Sequence, residues 1–168
     1  MLELRKINLA DAEKEWEYIS LAPEDENGLT NPNHGVSRDE FISTVLPGMI
    51  GYSEGINLPD GYVPETYFFL WNGDEIVGEF RIRHFLNDAL REGAGHIGYG
   101  IKKEFRNMGF ATKGLAMAIE EAKKIIPEDD IYLRLRKTNT ASLRVMLKNG
   151  AYIAHENEKE IFTRIKIK

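Results

Sequence analysis

Between Gly95 and Ile119 the apolar period of the chain changes once, from two to near 3.6, and that switch limits what it can fold into. Ile97, Tyr99 and Ile101 share one face of an extended segment, with His96, Gly98 and Gly100 on the other. From Gly109 to Ile126, Ala111, Leu115, Ala118, Ala122 and Ile125 line a helical stripe instead. A short basic link ending in RNMGFA joins the two. Gly109 lets the chain turn tightly, with backbone groups close to a ligand. The amides around Asn107 to Thr112 then point one way and meet the unpaired N–H groups of a helix start, which makes an anion site. Each favourable charge there gains about 0.3–1 kcal/mol. Arg106, Lys113 and Lys102 or Lys103 add positive charge. The spacing is neither the G-x-x-x-x-G-K-[ST] of a P-loop nor the G-x-G-x-x-G of a dinucleotide fold.

The remaining pattern supplies a mixed α/β sheet in one domain, residues 1–168, a length that supports one well-buried core. Leu2 to Ile7 reads as a strand, and Asn8 or Asp11 as the cap of a helix running to about Ile19. Pro23 to Asn33 reads as a loop. Ser37 and Glu40 form a capping box opening the helix RDEFISTVL, which Pro47 and Gly48 are expected to end. Gly51 to Pro64 is loop-like. Tyr67 to Trp71 is a strand, Asn72-Gly73-Asp74 a hairpin turn, and Glu75 to about Phe85 the return strand, with Ile76, Phe80 and Ile82 on one face. Asn87 to Gly95 is a connection, and Pro127 stops the long helix. Ile131 to Arg136 is a strand, and Thr138 or Asn139 caps a helix ending near Asn149-Gly150. Tyr152 to Ala154 and Ile161 to Ile167 close the fold as a strand pair.

A formal net charge of −5 gives no overall positive field for nucleic acid, and the neighbouring Arg134, Arg136 and Lys137 read as a solvated edge. The absence of cysteine excludes disulfides, Cys-ligated zinc and thiol nucleophiles. No apolar run approaches membrane-spanning length, and the N-terminus is too charged for a secretory signal. The expectation is a cytoplasmic protein with no nucleic-acid or membrane partner.

RNMGFA matches the R/Q-x-x-G-x-G/A signature of the GCN5-related N-acetyltransferase (GNAT) superfamily, and the chain resembles that family along nearly its whole length. The resemblance implies a mixed, mostly antiparallel central sheet with a splayed strand pair, flanked by helices. It implies acetyl-CoA as cosubstrate, with its pyrophosphate on Arg106, Asn107, Met108, Gly109, Phe110, Ala111 and Thr112. Ile97 to Ile101 resembles the strand that splays to admit the pantetheine arm, and a backbone N–H near Ile101 is expected to polarise the thioester carbonyl. Asn139 and Ser142 match a second signature, N-x-x-S with a glycine eight residues after the serine. Glycines 98 and 100 weaken a strand but allow a ligand to approach closely. The resemblance further implies transfer to a primary amine of a small molecule or peptide by direct attack. Related domains are monomers or homodimers, and the strands from Tyr152 to Ile167 offer a pairing edge or a guarded one.

That chemistry needs a neutral amine. A lysine-like amine with a pKa of about 10.4 is neutral in roughly one molecule in 2,500 at neutral pH, a handicap of about 4.6 kcal/mol. Glu79 and His96 are the candidate bases, acting through water, with His84 a third. Many relatives place a tyrosine seven residues after the signature asparagine to protonate the leaving thiolate; Met146 stands there and has no proton to give. Tyr99 or Tyr152 would substitute. An acceptor pocket is expected from Pro23 to Pro64 and Asn157 to Lys159. Glu24, Asp25, Glu26, Asp60 and Glu65 would give it negative charge, and Trp16, Tyr52, Tyr62 and Trp71 apolar walls, suiting a cationic amine. Two other functions remain open: a non-catalytic acetyl-CoA binding or sensing domain, and a cofactor-free interaction domain. Binding without turnover marks the first, and no cofactor binding marks the second.

Overall fold

The computed structural model describes all residues, 1–168. Strand β1 (Leu2–Lys6) leads into helix α1 (Ala12–Leu21). A two-residue pair, β2 (Asp25–Glu26) and β3 (Leu29–Thr30), interrupts the segment expected as loop. Its turn is Asn27-Gly28, both at positive φ (54° and 90°), the conformation that a tight hairpin demands.

Helix α2 (Arg38–Glu40) opens as expected, with Ser37 Oγ accepting from the Glu40 N–H at 3.2 Å. It does not stop at Pro47. A π-helical turn, Phe41–Val45, passes directly into α3 (Leu46–Ser53), so the segment expected as loop from Gly51 begins as helix. In the π turn the Leu46 N–H donates to Phe41 O, five residues back. Pro47 then follows the π turn directly, as the second residue of α3.

Strands β4 (Glu65–Asn72) and β5 (Glu75–Arg83) form the central hairpin. Its register shifts where Leu70 pairs with Gly78 but Trp71 pairs with Ile76, leaving Val77 as the extra residue of a bulge. The bulge separates residues expected to share a face. Val77, Phe80 and Ile82 enter one core, while Ile76 joins Trp71 in the other. Short helix α4 (Asp88–Glu92) fills the connection to β6 (Ile97–Ile101). A 3-10 turn, Lys103–Phe105, leads to α5 (Phe110–Ile125), followed by β7 (Asp130–Arg136), α6 (Thr140–Lys148), β8 (Tyr152–Glu156) and β9 (Glu160–Lys166).

Two antiparallel sheets result, ordered β1-β4-β5-β6 and β7-β9-β8. They touch at one bridge, Gly95 with Leu133, and at the adjoining bond from the His96 N–H to Tyr132 O, 2.7 Å. A side chain at Gly95 would start 2.2 Å from Tyr132 O, so this joint requires glycine. The larger core lies between both sheets and α5, with Leu115, Ala118 and Ala122 packed on Phe80, Ile82, Leu133 and Ile131. The smaller one packs α1 and α3 on the opposite face of β4, around Tyr18, Ile19, Leu46, Met49 and Phe69. This is the mixed α/β architecture that the pattern predicts, with the parted strand pair that the family resemblance implies.

Candidate functional site

Beyond the Gly95 joint, β6 and β7 form no further ladder, and a cleft of about 750 Å³ opens between them. One wall is the outer edge of β6. The Lys102 N–H donates to Val77 O and the Arg83 N–H to His96 O, both 2.8 Å, so even-numbered positions pair with β5. Strand alternation turns the N–H and C=O groups of Ile97, Tyr99 and Ile101 toward the cleft. Consistent with that, Ile101 O accepts from Arg106 Nε at 3.0 Å.

The end of the cleft is the start of α5. Asn107 (φ 61°) and Gly109 (φ 80°) both take the left-handed conformation, which swings the chain into the helix. The N–H groups of residues 107–112 donate to no protein acceptor. An ideal Cβ on Gly109 would meet nothing within 4 Å, so the space in front of these amides is open. The other wall is α6, capped by Asn139, whose Oδ1 accepts from the Ser142 N–H at 3.2 Å. Tyr99 Oη reaches across to Ser142 Oγ at 2.7 Å. Burial pushes the Tyr99 hydroxyl up to about 12, against a smaller opposing effect from Ser142, so it keeps its proton at neutral pH.

The charge of the lining opposes that of the whole chain. Arg83, Arg106, Arg134, Arg136, Arg144 and Lys148 line the cleft against two carboxylates, Glu26 and Glu160. Arg106 pairs with Glu26 at 2.5 Å, Arg83 with Glu65 at 3.2 Å and Arg134 with Glu160 at 3.5 Å. Arg136, Arg144 and Lys148 make no ion pair with the protein. A glycine-bearing helix start with free amides, set beside unpaired cations and an exposed strand edge, is suited to a phosphorylated ligand with a long arm.

Residues 2–152 match the model of the acetyltransferase (GNAT) domain. The chain belongs to the GNAT family. Solved structures share its fold at low identity. One is a GNAT-family acetyltransferase from Streptococcus pneumoniae, 16% identical with a TM-score of 0.63, covering 98% of this chain and 97% of that one. Another is the ribosomal-protein-S5-alanine acetyltransferase from Vibrio fischeri, 17% identical with a TM-score of 0.69, covering 98% and 92%. A third is Mycobacterium smegmatis RimJ in complex with CoA-disulfide, 20% identical with a TM-score of 0.67, covering 98% and 81%. No curated protein matches. The chain is therefore an acetyltransferase of the GNAT fold, a fold that takes acetyl-CoA as cosubstrate.

In this GNAT domain the expected cofactor residues largely converge. Ile101, Arg106, Asn107, Gly109, Phe110, Ala111, Thr112, Asn139 and Ser142 all line the cleft, and Tyr99 with them. Met108 does not; its side chain is exposed outside it. Lys102 points away and pairs with Glu75 at 3.6 Å. Met146 forms part of the cleft floor, 2% exposed, with Thr163 Oγ1 donating to its sulfur at 3.3 Å.

The two candidate bases lie elsewhere. Glu79 is buried and held by Arg81 Nε at 2.9 Å, on the face of β5 away from α5. His96 is fully buried and outside the lining. Its Nδ1 accepts from the Tyr132 N–H at 2.9 Å, and its Nε2–H donates to Glu128 at 3.1 Å. Burial holds the ring below its usual range, with Glu128 pulling the other way, so the imidazole is neutral with both nitrogens engaged. That leaves no lone pair for an incoming proton. His84 likewise spends Nε2 on Thr66 Oγ1 at 2.7 Å.

The expected acidic, aromatic mouth does not form. Of its members only Glu26 lines the cleft. Trp71 is buried, Trp16 Nε1 donates to Val36 O, and Glu65 is engaged by Arg83. Sequence reading missed the β2–β3 hairpin and the arginines of β5, β7 and α6 as cleft residues. The Asn27-Gly28 pair is a hairpin signal within the acidic segment. Strict alternation of Arg134 and Arg136 with Leu133 and Leu135 marks a charged strand face.

Proposed function

We propose that this GNAT domain transfers an acetyl group from acetyl-CoA to a primary amine of a small molecule or peptide by direct attack. The observation that carries the reading is the run of amides at residues 107–112 with no protein acceptor, facing a cationic cleft in an acidic chain. These residues fit a diphosphate: several N–H donors at a helix start share its charge, and Gly109 leaves them uncovered. Acetyl-CoA supplies the acetyl thioester. The new bond joins the acceptor nitrogen to the acetyl carbon, the carbon–sulfur bond breaks, the sulfur leaves as thiolate, and the amine gives up one proton.

The chain's own groups would support those changes in two ways. The outward N–H groups of Tyr99 and Ile101 would steady charge on the carbonyl oxygen. The Tyr99 hydroxyl, protonated and in the cleft, would serve as proton donor where Met146 has none. Glu26 and Glu160, the two carboxylates of the cleft, are each held by an arginine, so the amine's proton would leave through solvent in the cleft.

Calorimetric titration of acetyl-CoA tests the reading. Wild-type protein is expected to bind, and Gly109→Trp, which fills the open space before the amides, to lose binding while keeping its fold by circular dichroism. A folded wild type that binds no acetyl-CoA overturns the proposal. The proton-free Met146 position favours a second reading, a domain that binds acetyl-CoA without turning it over. Thiol release with an amine panel separates the two, and Tyr99→Phe is expected to lower kcat with KM little changed if Tyr99 donates the proton.

A further inference from the structure

We propose that the acetyl acceptor is a primary amine carrying a carboxylate, and that Arg136 holds that carboxylate. The inference rests on the acetyl-transfer reading above and concerns its acceptor end. The β2–β3 hairpin roofs part of the cleft. An ideal Cβ on Gly98 or Gly100 would lie 3.2 or 3.0 Å from a Leu29 methyl, so Leu29 fills the space those glycines leave. Arg83, Ala94, Ile97, Arg134, Arg136 and Glu160 line the same cleft as the hairpin residues Glu26 to Leu29.

Alternation along β7 sends Leu133 and Leu135 into the core under α5 and Arg134 and Arg136 to the other face. The three arginines there differ in one respect. Arg83 has Glu65 and Arg134 has Glu160, but Arg136 has no carboxylate and no hydrogen-bond acceptor. Its guanidinium nitrogens lie 3.9 and 4.0 Å from where a Gly28 Cβ would be, so it spans the gap between β7 and the hairpin turn. The free cations on the α5 side are Arg144 and Lys148, carried by a helix tied to the start of α5 through Asn149 Nδ2 and Thr112 O at 3.1 Å. Those two are carried by the helix tied to the amides assigned to the phosphates, whereas Arg136 is carried by β7, and it is this cation that we assign to the other substrate. Both cleft carboxylates are occupied, Glu26 by Arg106 and Glu160 by Arg134, so nothing here attracts a second ammonium. A guanidinium with a free fork matches a carboxylate in two parallel bonds.

Thiol release at fixed acetyl-CoA tests this with matched acceptors. One arm pairs free amino acids with their amides. A second pairs peptides bearing Asp or Glu after the N-terminal residue with Asn or Gln counterparts, and a third uses an aliphatic polyamine. The wild type is expected to prefer the carboxylate member by roughly ten- to a hundredfold in kcat/KM, the size of a charged hydrogen-bond pair. An amino-acid amide has the less basic amine, so chemistry alone pushes the first arm the other way. Arg136→Gln is expected to collapse the ratio; any loss of acetyl-CoA affinity lowers both members of a pair alike and leaves their ratio untouched. Preference in the first arm identifies a free amino acid, and in the second a peptide terminus. Equal or better turnover of the amides or the polyamine overturns the acceptor class and leaves acetyl transfer standing. An unchanged ratio in Arg136→Gln overturns the role of Arg136. Tight acetyl-CoA binding with no thiol release in any arm overturns both acceptor class and catalysis.

Discussion

Glu15 shows how far a single residue can depart from what its type suggests. It is 1% exposed on a helix that reads as a charged surface, with Oε1 accepting from the Asn8 N–H at 3.0 Å and Oε2 without a partner. Burial, with a smaller push from Asp11 and against the Asn8 bond, raises its carboxyl from 4.5 to about 8. The folded state therefore prefers the proton. That contribution to stability is complete below about pH 4.5 and is lost as pH rises through about 8. Thermal melts between those limits should show wild-type Tm falling with pH, and Glu15→Gln, which keeps an acceptor for Asn8 without the charge, falling less. Parallel curves would mean that the carboxyl ionises freely in the fold. The same limit on legibility applies to His96. Its place at the start of a glycine-bearing strand was readable, but Glu128 and the Tyr132 amide, which consume both its nitrogens, lie more than thirty residues away in sequence. Local pattern carries no record of such partners.

Elements were legible where one period persists. The stripe of α5 and the alternation of β6 survive intact, and with them the anion turn between, because a sustained apolar face has one way to reach the core. Two errors came from features only tertiary structure decides. The bulge at Val77 reverses which face Ile76 occupies, and the π turn before Pro47 lets a helix continue through residues that usually end one. Gly114 belongs to the same class. By helix propensity alone, Ala at this mid-helix position should gain about 1 kcal/mol. Yet its Cβ would sit 2.4 Å from Phe80 Cζ and 3.0 Å from Leu70 Cδ2, because the bare backbone of α5 lies directly on the sheet. Overpacking of this kind costs about 1–3 kcal/mol. Gly114→Ala is expected to lower stability in urea melts despite its helix preference. Phe80→Leu in the same chain should restore part of the loss, since it removes the atoms in the way.

On the scale of the whole molecule, charge is divided between surface and cleft. The chain carries −5, yet the cleft lining holds six cationic side chains against two carboxylates. A polyanionic ligand approaching from solvent meets a net repulsive far field and an attractive near one. These make opposite predictions for added salt. If repulsion from the acidic surface dominated, screening would tighten binding. If the contacts are with Arg144, Lys148 and the amides of residues 107–112, screening weakens it, because ions compete at the site itself. At a Debye length of about 8 Å in 0.15 M salt, distant surface charge already counts for little, whereas contacts inside the cleft do not. The dissociation constant for acetyl-CoA should therefore rise several-fold between about 0.05 and 0.5 M salt. Arg144→Gln with Lys148→Gln should flatten that slope more than it changes the fold, since neither side chain has a protein ion partner to lose. A dissociation constant that falls with salt would place the ligand outside the cationic cleft.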